Sequence, residues 1–165
     1  MFPDDVGDTA TVQAGLPSLF EEMVKAEITT PRRVAAFLTS VAHECGFEYN
    51  LKQRGATGTW AGRGDIQLTG KPNYFDAGAY LGVDLVSSPD LVLTLAWSAK
   101  TATWYWTKAR PKCNLYADTL QFGKICAAIG YPLGDGSEDL RRTASFESAL
   151  KHLTGAVPAG ISSAR

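Results

Sequence analysis

Residues 30–46 place the tightest constraint on what this chain can fold into. Thr30 offers a hydroxyl that can cap a helix, and Pro31 suits the first helical position, where a missing N–H costs nothing. Val34, Phe37, Leu38, Val41, Ala42 and Cys45 then recur at i, i+3, i+4, i+7, i+8 and i+11, the period of one helix face. Gly46 follows, the residue type that ends helices in a left-handed conformation. A helix with both ends marked and so broad an apolar stripe must bury that stripe against other elements, so the domain is built around it.

The same reading predicts four more helices. One runs from Pro17 to about Ala26, with Leu16, Leu19, Phe20, Met23 and Val24 in phase. Another spans 93–106, with Ala96, Trp97, Thr101 and Trp104 on one side. A third covers 120–129, with Phe122, Ile125, Cys126 and Ile129 in phase, and stops at Gly130 with Pro132 beyond. The last covers 138–153, with Leu140, Ala144, Phe146, Ala149, Leu150 and Leu153 in a less regular phase. The middle differs. Gly55, Gly58, Gly62 and Gly64 are too dense for a helix. From Arg63 the pattern alternates, with Arg63, Asp65, Gln67 and Thr69 on one parity and Ile66 and Leu68 on the other. A strand over these residues shows four polar side chains on one face. The expected fold is mainly α, with a small β insert after the second of these helices. Residues 1–153 read as one domain, and 154–165, rich in small residues, Pro and Ser, as a C-terminal tail or linker.

Composition narrows the function. The 165 residues are 45% hydrophobic and 20% charged, enough for one real core. Lys plus Arg number 16 and Asp plus Glu 17, for a net charge of -1, which argues against general nucleic-acid binding. The pairs Arg32-Arg33 and Arg141-Arg142 leave a local basic patch open. No apolar run approaches the roughly 20 residues of a membrane span. The start, Met1-Phe2-Pro3-Asp4-Asp5, lacks the basic and apolar regions of a signal peptide. Three cysteines without CxxC spacing give no disulfide framework and no zinc motif.

Glu44 is the first candidate for chemistry. It lies roughly 90° from the centre of the apolar stripe, at about 100° per residue, and so at the core edge. It also sits in the last helical turn, where the helix dipole disfavours negative charge. Both effects raise a carboxyl pKa, as a general acid at neutral pH requires. The competing reading is a boundary glutamate paired with an arginine. The polar parity of Arg63, Asp65, Gln67 and Thr69 suits a cleft that binds a polar polymer, or a merely solvated edge. Trp60, among the glycines, is placed to stack on a sugar ring or to anchor a loop. His43-Glu44 begins an HExxH pattern that Phe47 breaks, and only His152 remains as a second histidine, so no metal is expected. Cys45 lies on the apolar stripe, where a thiol is packing and inert. Gly62-Arg63-Gly64 is only a fragment of a phosphate loop.

Together these residues resemble the family 19 glycoside hydrolases, a family of chitinases and phage endolysins. Ala36 to Glu44 is similar to the family's helix ending in a catalytic glutamate. Gly62-Arg63-Gly64-Asp65-Ile66-Gln67-Leu68-Thr69-Gly70-Lys71-Pro72-Asn73-Tyr74 resembles its glycine–arginine–glycine strand followed by Ile-Gln-Leu-Ser/Thr. Leu81 to Leu91 and Trp104-Tyr105-Trp106 fit its next two segments. The resemblance implies a lysozyme-like, two-lobed helical fold and a cofactor-free, inverting hydrolase. Glu44 then matches the general acid and Thr69 the hydroxyl holding the attacking water. Gln67 and Asn73 match sugar-binding amides, and Arg63 the arginine of the strand. His43, Trp60 and Asp65 join them as expected substrate contacts.

Two departures stand out. Where the family carries a second glutamate, this chain has Lys52 or Gln53, leaving Glu48 as the nearby carboxylate. Where the family has Ile-Asn-Gly, this chain has Ile129-Gly130-Tyr131. The general base is therefore open between Glu48, Asp65 and no carboxylate at all. The resemblance to phage members implies an endolysin-type cell-wall hydrolase, cleaving the β-1,4 bond of peptidoglycan between N-acetylmuramic acid and N-acetylglucosamine. Chitinase action and a catalytically impaired sugar-binding module are the alternatives. The expected partners are peptidoglycan glycan strands or chitin oligomers, not nucleic acid or membrane, with the protein a monomer. It would act on the bacterial wall after synthesis in the host cytoplasm and release by another factor.

Overall fold

A computed structural model describes residues 2, 6–130 and 136–165 of the chain. The expectations resting on Tyr131 and Pro132 lie outside the described residues. Seven α-helices are described: α1 Thr9–Lys25, α2 Pro31–Cys45, α3 Lys71–Leu81, α4 Leu95–Trp104, α5 Cys113–Asp118, α6 Phe122–Ala128 and α7 Ser137–Thr154. A 3-10 turn, Pro89–Leu93, precedes α4, and a π turn, Tyr105–Ala109, follows it directly.

The central helix α2 forms as its sequence dictates. The Thr30 hydroxyl accepts from Arg33 N at 3.3 Å, Pro31 opens the first turn, and Gly46 closes the helix at φ 58°. The helix is buried on more than its apolar stripe. Every residue from Ala35 to Ala42 is buried, including Thr39 and Ser40, whose hydroxyl donates back to Ala36 O at 3.0 Å. α7 and α5 both pack on it, α6 packs between α5 and α7, and α1 packs on α4. Phe37 meets Trp106 edge-on with ring centres 5.2 Å apart, and Phe122 stacks on Phe146 at 4.6 Å.

The structure corrects several expectations. α1 starts at Thr9, capped by Asp8, and carries Pro17 in its interior instead of at its start. α4 turns Ser98, Ala99, Thr101 and Ala102 inward and leaves Ala96 exposed, so its core face is rotated from the expected one. α3 and α5, where the sequence showed no clear apolar period, are helical; α3 opens with Pro72 in its first turn and ends at Gly82 in the left-handed region. On α7, Ala144 and Leu140 are exposed, while Arg142 is buried.

The largest correction concerns residues 63–69. No strand forms there; the described residues hold only the isolated bridges Lys52 to Arg63 and Arg63 to Leu68. The chain reverses within the segment, because Gly64 sits at φ 72° and Gln67 at φ 49°, and Leu68 N donates back to Arg63 O at 2.9 Å. A reversal destroys strand parity, so the four polar residues do not share a face. Gly64 is fixed there by space as well as by φ, since a Cβ would come within 2.8 Å of Val92 O and of Ser98 Oγ.

The stretch expected as a tail is tied to the helical body. Ser162 N donates to Leu120 O and Gly123 N to Ser162 O, both at 2.9 Å, and Arg165 forms a two-bond ion pair with Asp139 at 2.7 Å.

Candidate active site

A cleft of about 610 Å³ opens between the end of α2, the 63–69 turn, the start of α3 and the π turn. Glu44, Gln53, Gln67, Thr69, Asn73, Tyr105 and Arg110 supply its polar lining, with Ile66, Leu68, Ile129 and Gly130 beside them. Glu44, Gln67, Thr69 and Asn73 are thus brought together as expected.

Glu44 reaches the cleft from the last turn of α2, with its side chain 22% exposed. Burial pushes its carboxyl pKa up, while the nearby Arg142 guanidinium opposes the shift. Arg142, itself buried on α7, donates to Glu44 Oε1 at 3.2 Å and to Glu138 Oε1 at 3.0 Å. Glu44 Oε2 accepts no hydrogen bond from the described residues, so that oxygen is available to carry a proton toward a ligand.

The turn positions the facing side chains. The Gln67 amide nitrogen donates to Leu51 O at 3.0 Å and to Gly64 O at 3.1 Å, which fixes the side chain. Its Oε1 and Thr69 Oγ1 both crowd the bare α-carbon of Gly62, where a Cβ would lie 2.8 Å and 3.1 Å from them. Thr69 Oγ1 donates to Gln67 O at 2.6 Å, so its lone pairs remain to accept from a ligand or water. The Asn73 amide donates to Thr69 O at 2.8 Å from the first turn of α3.

The other expected site residues lie elsewhere. Arg63 is buried under the turn, where it pairs with Asp90 at 2.7 Å and donates to Thr59 O, Ala61 O and the Tyr74 hydroxyl. Asp65 is 3% exposed; its backbone N donates to Ser98 Oγ, whose hydroxyl donates back to Asp65 Oδ2 at 2.7 Å. The two residues anchor the turn to its surroundings instead of facing the cleft. His43 points to α7, with Nε2 3.0 Å from Ser145 Oγ and Nδ1 3.5 Å from Glu138. The Trp60 indole donates to Val86 O at 3.3 Å, and Lys71 lies over its ring at 5.1 Å. Glu48 is turned away, lying over Gly7 and accepting from Asp8 N at 2.7 Å at the start of α1. Gly46 does break the helix after Glu44, but the break carries Glu48 toward α1 and not across the cleft.

Three lining residues escaped the sequence reading of the site. Tyr105 and Arg110 bracket the π turn, a local irregularity with no periodic signature in the sequence. Gln53 stands in the lining and accepts from Gly62 N at 3.1 Å; its only sequence signal is its place in the Lys52-Gln53 pair. Glu44 is the one carboxylate among the described lining residues. Among the described residues no group of three or more His, Cys, Asp or Glu could hold a metal ion.

Asp65 also makes a stability prediction. Burial lifts its pKa from 3.8 to about 6, against the opposing Ser98 hydrogen bond. A raised carboxyl pKa favours the fold below about pH 4 and loses that contribution as pH rises through about 6. Asp65→Asn keeps an acceptor for Ser98 and removes the buried charge. It is expected to stabilise the protein at pH 8 by about 2–3 kcal/mol and to change little at pH 3.5, as read by thermal unfolding.

A half-buried acid at the end of a core helix, facing an amide-lined turn across an open cleft, can deliver a proton to a polar ligand held there. Residues 49–121 match the family model described as chitinase class I. Chitinase 8 of Oryza sativa subsp. japonica is 41% identical over 101 residues, covering 50% of this chain and 39% of its own length. The acidic 27 kDa endochitinase of Solanum lycopersicum is 54% identical over 57 residues, covering 32% of this chain and 23% of its own. The chain thus spans less than half the length of these curated relatives. Chitinase C from Streptomyces griseus HUT6037 superposes with a TM-score of 0.75 at 24% identity, over 99% of this chain and 92% of that one. The fold is the lysozyme-like, mainly helical fold of that structure, and the sequence likeness to the family 19 chitinases lies in residues 49–121, under half of the chain.

Proposed function

We infer that the protein hydrolyses β-1,4 bonds of glycans containing N-acetylglucosamine, with chitin-type oligomers as the first substrate class. The observation that carries this reading is Glu44, an acid raised by burial at the wall of a 610 Å³ cleft. The similar proteins from Oryza sativa and Solanum lycopersicum, a chitinase and an endochitinase, support chitin. Peptidoglycan strands, the substrate expected from the sequence, remain the second reading because a cation, Arg110, stands in the lining.

Glu44 protonates the leaving oxygen. Gln67 and Asn73 hold acetamido and hydroxyl groups, and Thr69 positions water. An inverting hydrolase ordinarily places a second carboxylate about 6.5–9.5 Å from the first. The lining offers Gln53, an amide, instead of that carboxylate. With no second carboxylate among the described lining residues, Thr69 and backbone groups position the attacking water, its proton passes to bulk solvent as the bond to carbon forms, and turnover is slow. Glu48→Gln and Asp65→Asn are expected to keep more than about a tenth of the wild-type rate, well short of the roughly 10²–10⁴-fold loss of a base. A loss beyond that in either variant restores a two-carboxylate mechanism.

The pH profile follows from the same contacts. Activity needs Glu44 protonated, so it falls as pH rises through the Glu44 pKa. Arg142→Gln removes the cation that opposes the upward shift. Its alkaline limb in kcat/KM is expected to move to higher pH. Incubation with chitohexaose and with purified peptidoglycan, followed by mass spectrometry of new reducing ends, tests the substrate. Release from neither glycan rejects the hydrolase reading.

A further inference from the structure

Arg110 is a cation in the cleft with no anionic partner among the described residues. Its Nε donates to Ala128 O at 2.6 Å, Nη1 to Ala109 O at 3.0 Å and Nη2 to the Tyr105 hydroxyl at 2.9 Å. All three acceptors are neutral, and no ion pair joins Arg110 to a described carboxylate. A guanidinium carries five N–H donors, so two remain, one on each Nη. The Tyr105 ring lies under the guanidinium with its centre 4.5 Å away, which fixes the plane of the fork. The remaining charge of the site is arranged differently. Arg142 is buried and already faces Glu44 and Glu138, so it answers the acid and not a ligand. A half-buried, pre-oriented cation whose free donors remain on the two Nη atoms suits a carboxylate, which it binds with two parallel hydrogen bonds.

We propose that Arg110 is a specificity residue that reads a carboxylate carried by the glycan, as on a muramic acid lactyl group or its stem peptide. This rests on the glycan-hydrolase reading of the same cleft. Neutral chitin offers Arg110 only hydroxyl and amide oxygens. A carboxylate-bearing strand offers charge-assisted bonds, worth roughly 10- to 100-fold in affinity.

The test uses Glu44→Gln protein, so that glycans stay intact during calorimetry. Four probes are titrated: stem-peptide-free peptidoglycan oligomers with free lactyl carboxylates, their methyl esters, peptide-bearing oligomers, and chitohexaose. The free acid is expected to bind roughly 10- to 100-fold tighter than its ester. Arg110→Gln closes that gap and leaves chitohexaose affinity within about twofold, whereas Arg110→Lys retains part of it. Whichever acid-bearing probe binds tighter identifies the source, lactyl group or peptide. Equal binding of acid and ester, a gap that survives Arg110→Gln, or an equal loss on chitohexaose overturns the proposal. Arg110 also holds the end of α6 through Ala128 O, so a variant that fails to fold is replaced by the salt dependence of the acid–ester gap in the parent. That gap must shrink with added salt, and its persistence unchanged overturns the proposal. Failure of the hydrolase reading is seen separately, as wild-type protein that releases no reducing ends from any of the four glycans.

Discussion

Glu44→Gln retains the fold and loses roughly 10²–10⁴-fold of the hydrolytic rate, the span expected when a general acid is removed. The amide matches the carboxyl in shape and can still meet Arg142, whose guanidinium lies 3.2 Å from Glu44 Oε1. Arg142 keeps Glu138 as an anionic partner at 3.0 Å, so the substitution leaves no unpaired buried cation and the fold is expected to hold. The comparison to make is kcat against KM on chitohexaose. A fall in both kcat and kcat/KM marks a group acting in the transition state, whereas a raised KM alone marks a binding contact. Retention of more than about a tenth of the rate would remove Glu44 from the chemistry.

Gly64→Ala is expected to cost about 2–4 kcal/mol, the sum of left-handed strain and overpacking against a fixed backbone. The added Cβ would stand 2.8 Å from Val92 O, and backbone cannot swing aside as a side chain can. At φ 72° the position is strained for any L side chain even before that contact. The loss should lower the melting temperature by about 2–4 °C for each kcal/mol in a chain of this size. Activity should fall with it, because the same turn carries Gln67 and Thr69 into the cleft. Gly58, where a Cβ meets nothing within 4 Å, supplies the control substitution.

The sequence made the helices legible where apolar residues kept a 3.6-residue period between clear ends. α2 is the best case, with Thr30, Pro31 and Gly46 all in their expected places. α6 and α7 followed the same logic to within a few residues. α3 was hidden because its buried residues, Tyr74, Ala77 and Gly78, are few and small, so no stripe stands out. The 63–69 segment misled for a specific reason. Alternation of polar and apolar residues mimics a strand, but Gly64 and Gln67 at positive φ fold the segment back on itself. Half of its polar residues then became buried anchors, Arg63 on Asp90 and Asp65 on Ser98. Glu44 was readable from its wheel position, since a core-edge place in a last turn follows from spacing alone. Arg110 and Gln53 were not, because what brings them to the cleft is the π turn and the loop before Gly62, and neither has a periodic signature.

Proton NMR of chitohexaose during the first minutes of hydrolysis is the most direct measurement. It reports at once whether the β-1,4 bond is cut and which anomer forms at the new reducing end. Single-step attack by water in a one-carboxylate cleft predicts the α anomer first, followed by slow mutarotation. Appearance of the β anomer first, or no new reducing ends at all, would contradict the account.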